Sequence, residues 1–501
     1  MNRVDQDAAA LPGAATEVNP APSNGQGPAV AVTSAVSKRR PGQGRGGGRS
    51  AYATRDLTSG SIPKNLIFLA WPQYIEGLLR VVDQIADLVW AGFLGHRAIA
   101  GMGAAQQWSQ LGFTARQGLD TSMRAMVSRA IGMQDTALAN RVVIHSILLT
   151  LGYSLVLSLV GIFFTEVLLR VTGISEGVIA EGAAYMRIQF VSQATIGLQM
   201  LMGNSLAAAG DTLTPLKSSL VSRLVHIFLS PALVFGLFGL PAIGLPGAAL
   251  ANAIAHVLAI GVLLWVLLRG TSRLHLTLRG FHFDSTVLRQ LLKIGLPASV
   301  NGMERSVAQL FILVLVAPFG DLTVAAYTLS RRVEMLGQAG GMGLGNAAGT
   351  IVGQSIGAGK PERAKTTILW AAGLGMAAKS IFASILLLFP TAILLVFTRD
   401  ADLIDIALPW VMILALGMVP TGLNQAFNQS FQTAGATLFV MLGTLGLMWG
   451  IELPLAFVLS KYTELGPLGV AWGMIVPMLF RPFINIPYYL SGRWLRIRVF
   501  S

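Results

Sequence analysis

The stretch RAIGMQDTALA, residues 129–139, returns 225 residues later as QSIGAGKPERA, residues 354–364, with Gly132 set against Gly357. Four further pairs keep the same offset. Pro72 of LAWP matches Pro297 of IGLP, Gly95 of FLGHRAIA matches Gly320 of PFGDLTVAA, Gly210 of AAAGD matches Gly435 of QTAGAT, and Gly244 of AIGLPGAA matches Gly469 of PLGVAWG. Chance supplies one or two such matches; five without drift signal a duplication. The chain then divides into a tail at 1–60, an N-lobe at 61–270, a linker at 271–285, a C-lobe at 286–495 and a basic tail at 496–501.

Each lobe is apolar. The 501 residues are 53% hydrophobic and 12% charged, with a mean hydropathy of +0.63, whereas a soluble chain carries about 25% charge. Runs of roughly 20 apolar residues, the length needed to cross a bilayer, recur after residue 60, about twelve in all. They do not alternate in polarity, which excludes a membrane β-barrel. The expected fold is an all-α polytopic membrane protein, about twelve transmembrane helices in two homologous six-helix lobes. Six helices per repeat give both lobes the same orientation, related by an axis along the membrane normal, with a cavity between them.

The net charge of +13 follows topology. Lys38, Arg39, Arg40, Arg45, Arg49 and Arg55 lie in the first tail. Arg269, Arg273 and Arg279 lie in one connection, Lys360, Arg363 and Lys365 in another, and Arg493, Arg496 and Arg498 at the end. Alternate connections are poorer in Lys and Arg. This asymmetry puts both termini on the cytoplasmic side of the inner (plasma) membrane, and the tail reads as a lipid-headgroup contact or a topology signal, with no nucleic-acid partner. Residues 1–60 are rich in Ala, Gly, Pro and Ser and read as disordered; Asp5, Asp7 and Glu17 speak against a transit peptide. There is no cysteine, hence no disulfide and no thiolate metal site.

GQSIGAGKPERA is not a phosphate loop, because proline follows Lys360 where Ser or Thr is needed. HExxH and serine-protease patterns are absent too, so no enzyme is expected and no cofactor. Uphill transport would draw on an ion gradient or a partner's ATPase.

Within EGLLRVVDQIADLVWAGFLG, residues 76–95, four ionisable groups interrupt an apolar run. At about 100° per residue Glu76, Arg80, Asp83 and Asp87 fall at roughly 0, 40, −20 and 20°, one stripe. A charge at bilayer depth costs about 2.5–3.5 kcal/mol or more and faces protein or water. Glu76–Arg80–Asp83 reads as an ion-pair ladder; Asp87 has no local cation, as a proton carrier requires. The second helix adds Gln106, Gln107 and Gln110, then Arg116, Asp120 and Arg124. Where these recur in the C-lobe stands a glycine row from Gly337 to Gly357 at every fourth residue, read as close packing. Glu304 is the C-lobe's candidate carboxylate, for substrate or for structural pairing. Asn424, Gln425, Asn428 and Gln432 line the cavity or satisfy backbone, and Glu452 reads as structural. The 18 Met and 23 Phe residues suit an adaptable apolar cavity.

VSRAIGMQD, VGQSIGAGKPERA, DLVWAGFLGHRAIA, AAAGDTLTP and LPASVNGMERSVAQLF together resemble the multidrug and toxic compound extrusion (MATE) transporters, over residues 62–490. The resemblance implies a V-shaped bundle of twelve helices exporting organic, often cationic and amphipathic, small molecules in exchange for protons or sodium; the expected setting is a lipid bilayer and the expected state a monomer. It also implies that Asp87, five residues before Gly92, is the cation-coupling carboxylate. One branch adds an Asn and an Asp on the fifth helix and a Thr on the sixth; here His226, Ser230 and Asn252 stand in those places. Losing the Asp weakens a sodium cage, whereas histidine beside aspartate forms a protonatable pair. Proton coupling through Asp87 and His226 is therefore expected, a single neutral hydrogen bond from His226 being the bland alternative. Sodium coupling and a lipid-linked saccharide flippase are the rival functions.

Overall fold

The computed structural model describes residues 55–94, 96–171, 175–279 and 281–500. Among them are fourteen α-helices and no strand. The first half holds α1 (Ile62–Leu94), α2 (His96–Gly132), α3 (Thr136–Val171), α4 (Glu176–Ala209), α5 (Leu213–Phe235) and α6 (Leu245–Arg269). The second holds α7 (Ser285–Val316), α8 (Asp321–Gly357), α9 (Pro361–Leu388), a short α10 (Pro390–Phe397), α11 (Ala401–Thr433), α12 (Thr437–Leu447), α13 (Leu453–Tyr462) and α14 (Pro467–Ser491). A π-helical turn, Met448–Glu452, joins α12 to α13 into one span, Thr437–Tyr462. The protein is an all-helical membrane protein of two homologous six-helix lobes.

Eight of these spans are long and apolar enough to cross a membrane by length and composition. α1, α2, α4 and α8 fall outside that set; α1 and α2 carry the charged stripes singled out above. The most apolar span, α3, is only 17% buried over its best window. Leu155 and Phe163 on α3 and Phe228 on α5 stand exposed, a face that only lipid would cover.

The repeat is written in the backbone as well. α4 ends at Gly210 (φ 104°), where Gly210 N–H reaches Ala207 O at 3.0 Å and Asp211 N–H reaches Leu206 O at 2.9 Å. α11 ends in the same wrap at Gly435 (φ 92°), with Gly435 N–H to Gln432 O at 3.0 Å and Ala436 N–H to Phe431 O at 2.8 Å. Glycine is required because the left-handed cap strains a side-chain-bearing residue.

The lobes meet along α2, α7 and α8. Ser299 Oγ donates to Ala115 O at 2.6 Å, Arg124 Nη1 to Asn346 Oδ1 at 2.8 Å, and Gln354 Nε2 to Ala208 O at 2.8 Å. The two copies of the signature stretch lie against each other. A Cβ on Gly132 would overlap the Gln354 carbonyl, and one on Gly357 would overlap the Arg129 carbonyl. Gln354 and Arg129 are themselves repeat partners, so the contact is reciprocal, each glycine admitting the other copy's backbone. This close approach is the packing that the glycine row predicted.

Two expectations about the chain ends change. Residues 55–60 are not free tail: Leu57 is 1% exposed and packs in the C-lobe core. Val499, read as tail, is equally buried in the N-lobe core. Both segments carry apolar residues spaced between charges, enough to anchor a short extended strap. Residues 1–54 of the expected disordered tail lie outside the described residues.

Candidate functional site

α1 and α5 run parallel and meet twice, two helical turns apart. Ser219 Oγ donates to Glu76 Oε1 at 3.0 Å. Seven residues on along both helices, His226 Nδ1–H donates to Asp83 Oδ1 at 2.7 Å, while the Arg223 guanidinium pairs with Asp83 Oδ2. Asp83 and His226 are 4% and 1% exposed. Against an ionised Asp83 carboxylate paired with Arg223, Nδ1 is the donor of the shared bond and Nε2 is the ring's other nitrogen.

This arrangement corrects two expectations. His226 pairs with Asp83, one turn earlier than Asp87, whose side chain lies outside the described residues. Asp83 in turn reaches across to α5 instead of pairing with Arg80 along α1. A stripe drawn on one helix fixes azimuth only; the axial register of α5 against α1 decides which turn is met, and that register is absent from the sequence of either. Arg223 was overlooked, although it stands three residues before His226 and so shares its face.

Around this pair lies a wider buried polar set. His256 of α6 bonds Gln199 of α4 through Nδ1 and Oε1. Arg116 and Asp120 form a buried ion pair on α2 at 3.0 Å, and Arg116 Nη1 also reaches Gly197 O on α4 at 3.4 Å. Ser230 and Asn252 do not join Asp83. The Ser230 hydroxyl and the Asn252 carbonyl oxygen are buried without hydrogen-bond partners among the described residues. Asn252 lines a separate crevice with Tyr185, Gln189 and Ser192. Gln106 and Gln110 are exposed on the first half of α2.

In the C-lobe, Glu304 is buried, and neither carboxylate oxygen has a hydrogen bond of normal geometry among the described residues; Arg305, Trp449 and Arg481 surround it. Asn424 and Asn428 are tied together from α14: Asn485 Nδ2 lies 3.3 Å from Asn424 Oδ1 and 3.5 Å from Asn428 Oδ1, and Asn424 Nδ2 donates to Met478 O at 3.0 Å. They satisfy each other and the backbone. Lys379 of α9, 3% exposed, and the Arg331–Glu334 pair of α8 were not foreseen; Lys379 is a single charge in an apolar run, and Arg331, Arg332 and Glu334 are a charged cluster in another, the signal that drew attention to α1.

The sequence model of the MatE family matches residues 72–232 and again 297–458, two segments whose starts keep the 225-residue offset. The chain belongs to the MatE family. Among curated MatE-like relatives, the probable multidrug resistance protein YoeA of Bacillus subtilis is 28% identical over 82% of this chain and 90% of its own length. The probable multidrug resistance protein NorM of Thermotoga maritima is 27% identical over 86% and 93%. A solved outward-facing MATE transporter of the MOP superfamily superposes with a TM-score of 0.82 at 21% identity, over 89% of this chain and 98% of that one. This MatE protein is thus a multi-pass membrane transporter.

Proposed function

We propose that this MatE protein exports organic, cationic or amphipathic compounds in exchange for protons, by alternating access between its lobes. The observation that carries the reading is the buried Asp83–His226–Arg223 set, with Asp87 one turn further along α1 as the carboxylate of the family pattern. With His226 neutral, Asp83 and Arg223 cancel. A proton on Nε2 leaves one net positive charge at bilayer depth, which a cationic substrate in the same lobe opposes. Two like charges that exclude one another are the physical basis of exchange, since each shifts the equilibrium only by its differential affinity for the two states.

Sodium fits this set less well. Both Asp83 oxygens already take N–H donors, so a metal cation there would face the Arg223 guanidinium at close range. The basic connections support a cytoplasmic placement for the end where the signature stretches meet, in the plasma membrane.

The test is efflux of a fluorescent cation from proteoliposomes under an imposed pH gradient or an imposed sodium gradient, for wild type, Asp83→Asn, Asp87→Asn and His226→Gln. The expected outcome is drive by the pH gradient, lost in Asp83→Asn and Asp87→Asn and displaced along the pH axis in His226→Gln. Drive by sodium alone would overturn the proposal.

A further inference from the structure

The signature GKPERA, which the coupling site does not use, closes on the segment that precedes α1. Arg363 Nη1 donates to Gly60 O at 2.9 Å, its Nη2 to Ser59 O at 2.8 Å and Leu57 O at 3.0 Å, and its Nε to Leu57 O at 3.2 Å. Lys360 Nζ donates to Thr58 O at 2.8 Å and to Thr58 Oγ1 at 3.3 Å. From the linker, Arg273 Nη2 donates to Arg55 O at 2.5 Å. Between these bonds Leu57 is sunk in the C-lobe core, and its Cδ1 lies 3.2 Å from where a Cβ on Gly210 of the N-lobe would stand. Residues 55–61 therefore bridge both lobes and the linker.

The strap is the direct continuation of α1. That helix runs from Ile62 to Leu94 with Pro72 inside it, so about 30 Å of helix, at 1.5 Å per residue, with a proline on the way, separates the strap from Asp83. A shift of the part of α1 before Pro72 would act directly on this grip. The grip has the chemistry of a releasable contact: a rigid cationic fork on backbone carbonyls at the surface, each of which water can satisfy after release.

We infer that Arg363, with Lys360, is a gating residue, holding the Arg55–Ser61 strap across the lobe seam and letting go of it when the lobes part at this end. The inference rests on the alternating-access reading above, but its labelling test needs neither substrate nor ion gradient. The chain has no cysteine, so introduced ones report cleanly. Ser128 is fully buried at the seam, against Gly353. In a Ser128→Cys background, a polar maleimide should label the seam only when it opens. Adding Arg363→Ala should speed labelling by about tenfold or more, the worth of at least one charged hydrogen bond. Lys360→Gln, a milder change that spares the fork, should speed it less, and Arg363→Lys should recover part of the loss. In a second protein, Thr58→Cys with Lys360→Cys joined by a disulfide should stop efflux until reduced.

Labelling rates indifferent to Arg363 and Lys360, or full efflux with the disulfide closed, would overturn the gate. Labelling that responds to Arg363 in a protein showing no proton-driven efflux would sink the coupling proposal and leave the gate standing. If Arg363→Ala fails to fold, the Lys360→Gln rate and the disulfide decide.

Discussion

The two lobes put a cation in the same place by different routes. In the N-lobe it is Arg116 of α2, paired with Asp120 at 3.0 Å and lying against Gly197 of α4. Shifted by 225 residues, those positions are Gly341, Gly345 and Gly422. The cation comes instead from α9, as Lys379, whose Cε lies 3.0 Å from where a Cβ on Gly341 would stand. Lys379 replaces the N-lobe's Ser154, and no carboxylate oxygen comes within ion-pair range of it among the described residues. At the α1–α5 site the divergence is complete: Ala308 and Met448 occupy the places of Asp83 and Arg223. Duplication preserved helix directions, close approaches and caps, and left the charges free to diverge, so that one lobe holds a carboxylate–imidazole pair and the other does not.

The largest effect is expected where one copy has a complete buried pair. Arg116→Ala takes away the only ion-pair partner of the buried Asp120 among the described residues, leaving it Asn204 and the more distant Arg124, a loss of about 3–5 kcal/mol. Lys379→Ala strands no carboxylate at ion-pair distance and should cost distinctly less; thermal unfolding of both variants in detergent compares them. Equal losses would mean that the lobes depend on their cations alike.

Forcing the copies to agree should cost next most. Ala308→Asp puts an unpaired carboxylate at a fully buried C-lobe position, for about 2.5–3.5 kcal/mol. Adding Met448→Arg should recover part of it, as judged by the amount of monodisperse protein and its melting temperature.

The reciprocal seam offers a symmetric test. Gly132→Ala and Gly357→Ala each drive a methyl into the other copy's carbonyl, and overpacking of this kind costs about 1–3 kcal/mol. Similar losses from the pair are expected, with faster maleimide labelling when each is placed in the Ser128→Cys background; a loss confined to one would show that the twofold contact is uneven in energy.

The smallest effect concerns how each lobe begins. α7 is capped by its own Asp284, whose carboxylate accepts from Thr286 N–H at 2.9 Å and Val287 N–H at 3.3 Å. α1 is instead held at the equivalent place, Ser59, by Arg363 of the other lobe. Asp284→Ala should cost about 1 kcal/mol. Burial pushes the Asp284 carboxyl up slightly, but the bonds from Val287 and Thr286 and nearby Arg141 hold it below the usual carboxylate range. Its contribution is present above the ordinary Asp value and fades as pH falls through the depressed one, so the wild-type advantage over Asp284→Ala should vanish in strong acid.

Duplication, helical class and seam glycines were legible because each leaves a local mark: a constant offset, a span length, a four-residue spacing. The strap was missed because it is short and sits beside a charged, glycine-rich tail, so composition outvoted Leu57. The partner of His226 was missed for a deeper reason. Asp83 and Asp87 share a face of α1, and one helical turn of sliding by α5 decides between them, a quantity set by packing along the whole length of both helices.

The π turn Met448–Glu452 carries a consequence of its own. An α-helix turns about 100° per residue, so one turn holding an extra residue rotates everything beyond it by that amount about the helix axis. The two MatE segments start 225 residues apart but end, at 232 and 458, with one residue more between them. Placed at this turn, the extra residue makes Glu452, in place of Ile451, the counterpart of His226, and the connection that follows restores the 225-residue offset by Gly244 and Gly469. A single inserted residue thus changes helix phase without changing span length, and it exchanges an imidazole for an acid at the matching azimuth of the second lobe.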